Sequence, residues 1–439
     1  MYILKCIFFE KCISLQVCIV MCKRNVIKKP IRKKEGWLAA LLLAYLIITG
    51  TLRQDVYASN PEPEPSTSDL GNLENIVEQI VSETVTVTEK MVIYALEQAQ
   101  EALKAEEKAL HYDFTLGFAG DICLADNYIP MQHLAEIGSK DISDGIDPRY
   151  IKIMQDMDLM WINNEFVYSL RGTPLPEKAW TFRGAPANVS YLKDLGVDIV
   201  GLANNHTYDF GKVSFLDTLS TLEKAEIPYV GAGRTIKQAA APVYLETNGF
   251  KIAYVAASRA EYTIYTPQAT KKKPGILWCY DNTRFLKSIR TAAANADYVI
   301  ALPHWGVEHS LELEDVQIEG AHAYIDAGAD AVIGAHPHIL QGIEYYKGKP
   351  ILYSLGNFWF DDYDIDTLVA QLHIKGKKAN RDASLEDAQV ELRLYPGTQS
   401  GVYTGLADTP EWKSRILQEL ESISINISID KDGVVHKRK

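Results

Sequence analysis

Six short apolar runs, separated by stretches with helical patterns, constrain the fold of this chain more than any other feature of its sequence. The runs cover residues 114–119, 197–202, 252–257, 298–302, 331–333 and 351–355. Helical patterns lie between them, for example at 213–225 and 285–293. Apolar strands that alternate with helices are typical of buried parallel sheets covered by helices. The sequence therefore predicts an α/β fold.

Polar side chains follow these runs. Four of the six runs are followed within two residues by Asp, Asn or His. In α/β folds, sites are built just beyond the carboxyl ends of the strands. The motifs of interest, in chain order, are G-D-I-C (120–123), N-N-E (163–165), A-N-N-H-T-Y-D-F-G (203–211), P-H-W-G-V-E (303–308), G-A-H-P-H (334–338) and S-L-G-N-F-W-F (354–360).

Carboxylate, amide and imidazole groups dominate these motifs. The residues that carry them are Asp121, Glu165, Asn205, His206, His304, His336 and His338. This set of groups suits a divalent ion such as Mn, Fe or Zn. Two ions about 3.5–4 Å apart that share a carboxylate would polarise a phosphoryl or acyl oxygen and activate water. The sequence therefore predicts a site for one or two divalent metal ions.

Charge separates the N-terminal region from the rest of the chain. Residues 1–59 hold ten Lys or Arg against three Asp or Glu, a net charge of +7. Residues 60–439 hold 35 basic and 54 acidic residues, a net charge of −19. Binding to nucleic acid depends on a basic surface that neutralises phosphates. We therefore expect no nucleic-acid partner.

The N-terminal region has the pattern of a membrane address. The 17 residues of 36–52 carry no charge and follow a cluster of Lys and Arg at 23–34. This length is at the short end of what spans a bilayer, and the basic cluster keeps the N-terminus in the cytoplasm. The span fits an uncleaved signal anchor, or a signal peptide with a weak cleavage site at Val56-Tyr57-Ala58. We predict a single-pass anchor in the cell membrane, with the C-terminal domain extracellular.

The predicted organisation has five parts. Residues 1–35 form a cytoplasmic basic tail, and residues 36–52 form the transmembrane anchor. Residues 53–112 hold a proline-rich linker and an acidic, alanine-rich helical stalk. Residues 113–375 form the α/β domain. Residues 376–439 are a C-terminal extension whose alternating segments predict edge strands of the same domain.

The ordered motifs resemble those of a known family. G-D, N-x-E, A-N-N-H-x-x-D-x-G, H-W-G-x-E, G-x-H-P-H and S-L-G-N-F are similar to motifs of the bacterial capsule-synthesis protein CapA family, also called PgsA, of poly-γ-glutamate synthesis. The resemblance covers residues 113–361 and implies a metallophosphatase-like αββα sandwich related to the calcineurin-like phosphoesterases. It also implies a membrane-anchored protein that works with a membrane-bound polymer ligase or export complex on an anionic surface polymer.

The resemblance implies roles for individual residues. The implied metal ligands are Asp121, Glu165, Asn205, His304, His336 and His338. His206 is implied as the proton donor to a leaving group, and Asp209 as the residue that orients it. Cys123 stands where the superfamily has a further metal-binding His. This departure favours a one-metal or weakly active site, unless the Cys123 thiolate replaces the imidazole, which would favour zinc.

Several functions fit these observations. Arg183 is a candidate for substrate binding, because a guanidinium clamps carboxylates and phosphates, although a surface salt bridge fits it equally well. The main hypothesis is a CapA-type protein of capsule or poly-γ-glutamate synthesis or export with a divalent-metal site. The alternative is an exported metal-dependent phosphoesterase unrelated to capsule. A binding domain without catalysis is the third.

Overall fold

The described part of the chain comprises residues 93–95, 110–260, 265–378 and 389–438 of a computed structural model. The chain divides into two compact units, Met1–Ala99 and Gln100–Lys439. In the first unit, residues 93–95 are helical. The predicted basic tail, transmembrane anchor and linker lie outside the described residues. Within the described ranges, no helix combines the length and the apolar character needed to cross a membrane.

Strands and helices alternate through the second unit. The strands are β1 Leu110–Ile122, β2 Leu159–Asn164, β3 Val167–Tyr168, β4 Arg183–Gly184, β5 Ile199–Gly201, β6 Tyr229–Val230, β7 Ala232–Gly233, β8 Val243–Thr247, β9 Phe250–Ser258, β10 Gly275–Ile276, β11 Tyr298–His304, β12 Ala331–Ile333, β13 Ile343–Tyr346, β14 Lys349–Leu352, β15 Asn357–Trp359, β16 Ile365–Lys378, β17 Gln389–Ser400, β18 Tyr403–Leu406, β19 Ile427–Ile429 and β20 Val435–Lys437. The α-helices are α1 Ile129–Glu136, α2 Pro148–Gln155, α3 Ser190–Asp194, α4 Gly211–Ala225, α5 Ile236–Ala239, α6 Thr283–Ala293, α7 Asp315–Asp326 and α8 Pro410–Ser422. Single 3-10 turns lie at Ile142–Asp144 and Pro186–Val189.

Two large sheets organise these elements. The first sheet has the order β18-β17-β16-β1-β2-β5-β6, with β15 also paired to β1, and the second has the order β13-β14-β12-β11-β9-β8. Strands β1, β2, β5 and β6 run parallel, as do β9, β11, β12 and β14. Antiparallel strands extend the edges of both sheets. The C-terminal extension, which was predicted to add edge strands, holds β17 and β18 of the first sheet.

The two sheets pack face to face, and helices cover their outer faces. Along β11, Tyr298, Ile300 and Leu302 enter the core between the sheets, whereas Val299 and Ala301 pack beneath α6 and α7. This period of two is the expected result of side chains alternating between the faces of a strand. Helices α1 to α4 cover the outer face of the first sheet in the same way. The layers are therefore helix, sheet, sheet and helix, which confirms the predicted α/β class.

Each of the six predicted apolar runs contains strand residues. Four runs lie entirely within β1, β9, β11 and β12, whereas β5 covers only 199–201 of the run at 197–202 and β14 covers only 351–352 of the run at 351–355. The predicted helices at 213–225 and 285–293 lie in α4 and α6. Strand β1 begins at Leu110, three residues before the predicted start of the domain at 113. The reason is that its pairing with β16 continues to Leu110 opposite Lys378. Strand β16 likewise runs past the predicted boundary at 375.

Candidate metal centre

The polar motifs meet at one end of the two sheets. Asp121 is the penultimate residue of β1, and Glu165 directly follows β2. His304 is the last residue of β11, and His336 follows β12 after two residues. These strands belong to both sheets, so the carboxyl ends of two parallel sets converge. This is the position at which α/β folds place their sites.

The glycine of the G-D motif is needed for a close backbone approach. A Cβ atom on Gly120 would lie 1.8 Å from the carbonyl oxygen of Gly356. The backbone N–H of Asp121 donates to the same oxygen at 2.9 Å. The register between β1 and β2 shifts between Ala119 and Asp121, and such an irregularity redirects a side chain. Gly120 therefore lets β1 deliver the Asp121 carboxylate to the site.

The H-P-H segment carries its two imidazoles on an unusual backbone. His336 has a φ of 104° and His338 a φ of 62°. Such conformations cost a non-glycine residue of order 1–3 kcal/mol and cluster at functional sites. The segment is fixed from outside, because the N–H of His309 donates to the Pro337 carbonyl oxygen at 2.8 Å. The two rings are thus held in place by surrounding structure.

Two groups of three buried side chains bring possible metal ligands together. Glu165, His304 and His336 form one group, and Asp121, Glu165 and His338 form the other. In each group the ligand atoms lie within 4.8 Å of one another. All five side chains are buried. Glu165 belongs to both groups, which is the position of a carboxylate shared by two ions.

The spacing and bonding of these atoms fit a divalent ion. His304 Nε2 lies 2.9 Å from Asn205 Oδ1 and 3.5 Å from Glu165 Oε1. Ligands about 2.0–2.2 Å from a common ion are separated by roughly 3–3.5 Å, a range that includes the His304–Glu165 separation. The His304–Asn205 contact is at hydrogen-bond distance. Among the described residues, Glu165 Oε1 and His336 Nδ1 are buried without a hydrogen-bond partner. An unpaired buried acceptor is costly, and an ion would satisfy both atoms.

Burial sets the protonation of the ligands. It raises the pKa of the Asp121 carboxyl, and it raises the pKa of Glu165 well above its usual range, with the neighbouring Asp121 charge adding to the rise. It lowers the pKa of His304 and His336 well below the usual range of histidine. The imidazoles are therefore neutral, which is the form that binds metal. A divalent cation would favour the ionised carboxylates and release protons as it binds.

Asn163 ties the two carboxylates together. Its Nδ2 donates to Asp121 Oδ1 at 2.7 Å and to Glu165 Oε2 at 2.9 Å. Its Oδ1 accepts a hydrogen bond from Asn204 Nδ2 at 3.1 Å. Sequence reasoning missed this role, although Asn163 lies in the N-N-E motif. Asn163 therefore positions both acidic side chains, which are candidate ligands.

Asn357 fixes the ring of His338. The Asn357 Nδ2 donates to Asp361 Oδ2 at 2.8 Å, and Asp361 Oδ1 accepts from Gln399 Nε2 at 2.6 Å. Because the amide nitrogen of Asn357 donates to Asp361, its amide oxygen faces His338 Nδ1, 2.7 Å away. That contact places the proton on Nδ1, so Nε2 is the ring nitrogen that carries a lone pair. The S-L-G-N-F motif was the available signal for this residue.

His206 is held by a buried network beside the ligands. Its Nδ1 lies 2.8 Å from Asp209 Oδ2, which also accepts from the N–H of Phe182 at 2.7 Å. Lys178 Nζ donates to Asp209 Oδ1 at 2.8 Å and to the Asn205 carbonyl oxygen at 2.6 Å. The Lys178 and Asp209 side chains are 3% and 0% exposed. Nothing in the sequence pointed to Lys178, which lies far from this motif in the chain.

Two residues singled out in the sequence lie outside the cluster. Cys123 is fully buried in the apolar core beneath the first sheet, where burial raises its pKa, and it belongs to none of the ligand groups of the described residues. The Arg183 guanidinium donates to the carbonyl oxygens of Arg171 and Gly172 at 3.4 and 3.3 Å. It also lies 4.2 Å from the ring centroid of Phe210. Within the described part of the chain, this guanidinium therefore contacts two carbonyl oxygens and an aromatic ring and none of the candidate ligands.

Comparison with known sequences supports a family assignment. The sequence profile described as bacterial capsule synthesis protein PGA_cap matches residues 115–362. The capsule biosynthesis protein CapA of Bacillus anthracis is 30% identical over 333 residues, covering 74% of this chain and 76% of that protein. The PGA biosynthesis protein CapA of Bacillus subtilis is 36% identical over 198 residues, covering 44% of this chain and 51% of that protein. A crystal structure of a novel phosphatase from Mycoplasma pneumoniae aligns with a TM-score of 0.41 and 12% identity, over 66% of this chain and 95% of that one.

Proposed function

The chain belongs to the bacterial capsule synthesis protein family PGA_cap, and from this premise we propose that it acts at the cell surface in the synthesis or export of an anionic polymer of the poly-γ-glutamate type. In this proposal residues 36–52 anchor the chain in the membrane, and the domain from 113 onward faces outward. The supporting observation is the basic cluster that precedes the uncharged span. A membrane-bound polymer ligase or export complex is the proposed partner.

We propose further that the buried cluster holds one or two divalent ions, Mn, Fe or Zn. The single observation that carries this proposal is the shared position of Glu165 in two buried ligand groups. A bound ion supplies a Lewis acid that polarises an oxygen of the substrate and activates water. The protein supplies the ligands and their orientation. His206, whose Nδ1 faces Asp209, presents its Nε2 for proton transfer to a leaving group.

The metal is tested by elemental analysis of the full chain after reconstitution with manganese or zinc. The double variant His336→Ala with His338→Ala should lose the ion, because it removes a ligand from each group. The variant His322→Ala is the matched control, since His322 bonds to Glu344 and belongs to neither group. An ion retained in full by the double variant would contradict the assignment, as would an unmutated chain that binds none.

Topology is tested on intact cells whose wall has been removed. Protease added outside should cleave the domain that starts at 113, and a cytoplasmic marker protein in the same cells should stay intact. Complete protection of the domain, with cleavage only after the cells are permeabilised, would contradict the outward orientation.

An exported metal-dependent phosphoesterase is the second candidate, favoured by the His206–Asp209 pair beside the ligands. The assay compares an aryl phosphate ester with γ-linked glutamate oligomers, each with added manganese or zinc. Turnover of the ester, together with normal surface polymer in cells carrying Asp121→Ala, would favour this candidate. The unmutated chain could instead turn over neither substrate, while Asp121→Ala still abolishes surface polymer. This result would mean that the metal binds polymer or stabilises the fold.

A further inference from the structure

A third group of ligands lies on the solvent side of the metal centre. A carboxylate oxygen of Glu308 and one ring nitrogen each of His336 and His338 lie within 4.8 Å of one another. The two histidines are only 4% and 7% exposed, whereas Glu308 is exposed. This group is therefore where the buried ligands meet the solvent. Nothing in the sequence assigned a role to Glu308, although it ends the P-H-W-G-V-E motif.

The backbone fixes Glu308 against the two histidines. On one side of it, the N–H of Trp305 donates to the Ala335 carbonyl oxygen at 3.0 Å. On the other side, the N–H of His309 donates to the Pro337 carbonyl oxygen at 2.8 Å. The loop that carries Glu308 is thus bonded on both sides to the G-A-H-P-H motif. The main chain that carries Glu308 is therefore held beside the two imidazoles by these bonds.

The charge of Glu308 also acts on the buried ligands. It adds to the rise in the pKa of Glu165, although burial and Asp121 contribute more. The charge of the exposed Glu308 carboxylate therefore also attracts, from the solvent, a divalent cation that the buried acidic cluster would bind. Clefts lined by one sign of charge raise association rates of oppositely charged ions by roughly 10–10³-fold.

We propose that Glu308, His336 and His338 form a capture position, at which a divalent cation is first bound before it reaches the buried ligands. The inference rests on the proposed function, in which the buried cluster holds the ion. Both histidines also belong to the buried groups. An ion that exchanges its contact with Glu308 for a contact with Glu165 or Asp121 would therefore move inward, while at least one imidazole stays bound to it.

The experiment measures the rate of metal uptake rather than activity. The full chain is stripped of metal, and uptake of Co²⁺ is followed by its visible absorption in a stopped-flow instrument. Glu308→Gln should slow uptake about tenfold or more at low ionic strength, and chelator-driven release should slow by a similar factor. The Co²⁺ content at equilibrium should stay that of the unmutated chain, because the buried ligands are unchanged.

Two variants control for charge and folding. Glu312→Gln makes the same chemical change at an exposed residue further along the loop, outside all three ligand groups, and should leave both rates unchanged. Glu308→Asp retains the carboxylate and should recover part of the uptake rate. Thermal unfolding of Glu308→Gln should match that of Glu312→Gln, since both residues are exposed.

The possible results separate this inference from the proposed function. An uptake rate in Glu308→Gln equal to that in Glu312→Gln would overturn the capture position while the metal centre stands. Unchanged uptake with faster release would instead make Glu308 a ligand of the resting site, which also overturns the inference. An unmutated chain that takes up neither Co²⁺ nor zinc nor manganese would refute the metal centre itself.

Discussion

Lys178→Met is the perturbation that most directly tests the network beside the ligands. Methionine keeps most of the apolar length of the side chain and removes its charge. The change leaves the Asp209 carboxylate, which is fully buried, without its cationic partner. It also removes a side-chain donor to the Asn205 carbonyl oxygen, which still accepts from Thr266 Oγ1 at 2.6 Å.

The expected loss of stability follows from the burial of both partners. Removing one member of a buried ion pair costs about 3–5 kcal/mol, because the remaining charge is uncompensated in the interior. Asp209 keeps hydrogen bonds from Phe182 and His206, so we expect about 3 kcal/mol, at the lower end of this range. Lys152→Met is the matched control. Its pair with Asp156 is exposed on both sides and should contribute less than about 1 kcal/mol.

The assay is urea unfolding of the full chain in detergent, followed by tryptophan fluorescence. A chelator is present throughout, so that ion binding does not add to the stability of any variant. The double variant Lys178→Met with Asp209→Asn should be less destabilised than the sum of its single variants, by about 0.5–3 kcal/mol. The slope of unfolding free energy with urea should be the same for all variants.

Two results would refute this reasoning. Lys178→Met could lose no more stability than Lys152→Met, which would mean that the Asp209 carboxylate does not depend on the lysine. The two single variants could instead be strictly additive in the double variant, which would mean that Lys178 and Asp209 do not interact.

Three further predictions concern the ligands and their surroundings. Gly120→Ala should cost about 1–3 kcal/mol and reduce metal content, because its Cβ would overlap the Gly356 carbonyl oxygen, whereas Gly405→Ala, with its nearest neighbour at 3.5 Å, should change neither quantity; equal unfolding free energies would contradict this. His206→Ala should retain its metal in elemental analysis and, if the chain is a hydrolase, lower turnover by about 10²–10⁴-fold; loss of the ion would make His206 a ligand instead. Cys123→Ala should retain its metal as well, since its thiol lies in none of the ligand groups, and a drop in metal content would restore the thiolate as a ligand.

Local patterns in the sequence were sufficient for the fold and for the composition of the candidate site. Buried strands such as β11 are apolar on both faces, so they stand out as continuous runs between helices. Polar residues at the ends of those runs, such as Asp121 and His304, were visible for the same reason. Their convergence followed from the rule that parallel strands present their carboxyl ends at one edge.

The supporting residues could not be found in this way. Asn163 and Asn357 were visible as members of motifs, but their hydrogen bonds to the ligands depend on side-chain orientation. Lys178 gave no signal at all, because a lysine in a loop is normally solvated and its burial against Asp209 is a property of the packed chain. Arg183 is the opposite example. The sequence made it a candidate for substrate binding, but in the structure its guanidinium contacts carbonyl oxygens and an aromatic ring.

The sequence by itself determined the α/β class, the family and the chemical types of the candidate ligands. These three properties follow from local apolar runs, from the order of the motifs and from residue identity. None of these features depends on the contacts that folding creates between distant residues. Only the tertiary structure decided that Glu165 is shared between two groups of candidate ligands and that Cys123 lies in the apolar core. The same is true of the position of Glu308 close to His336 and His338. These outcomes depend on the register between strands of two sheets and on hydrogen bonds between loops. A shift of one residue in a strand reverses the direction of every side chain, so no local pattern could have supplied them.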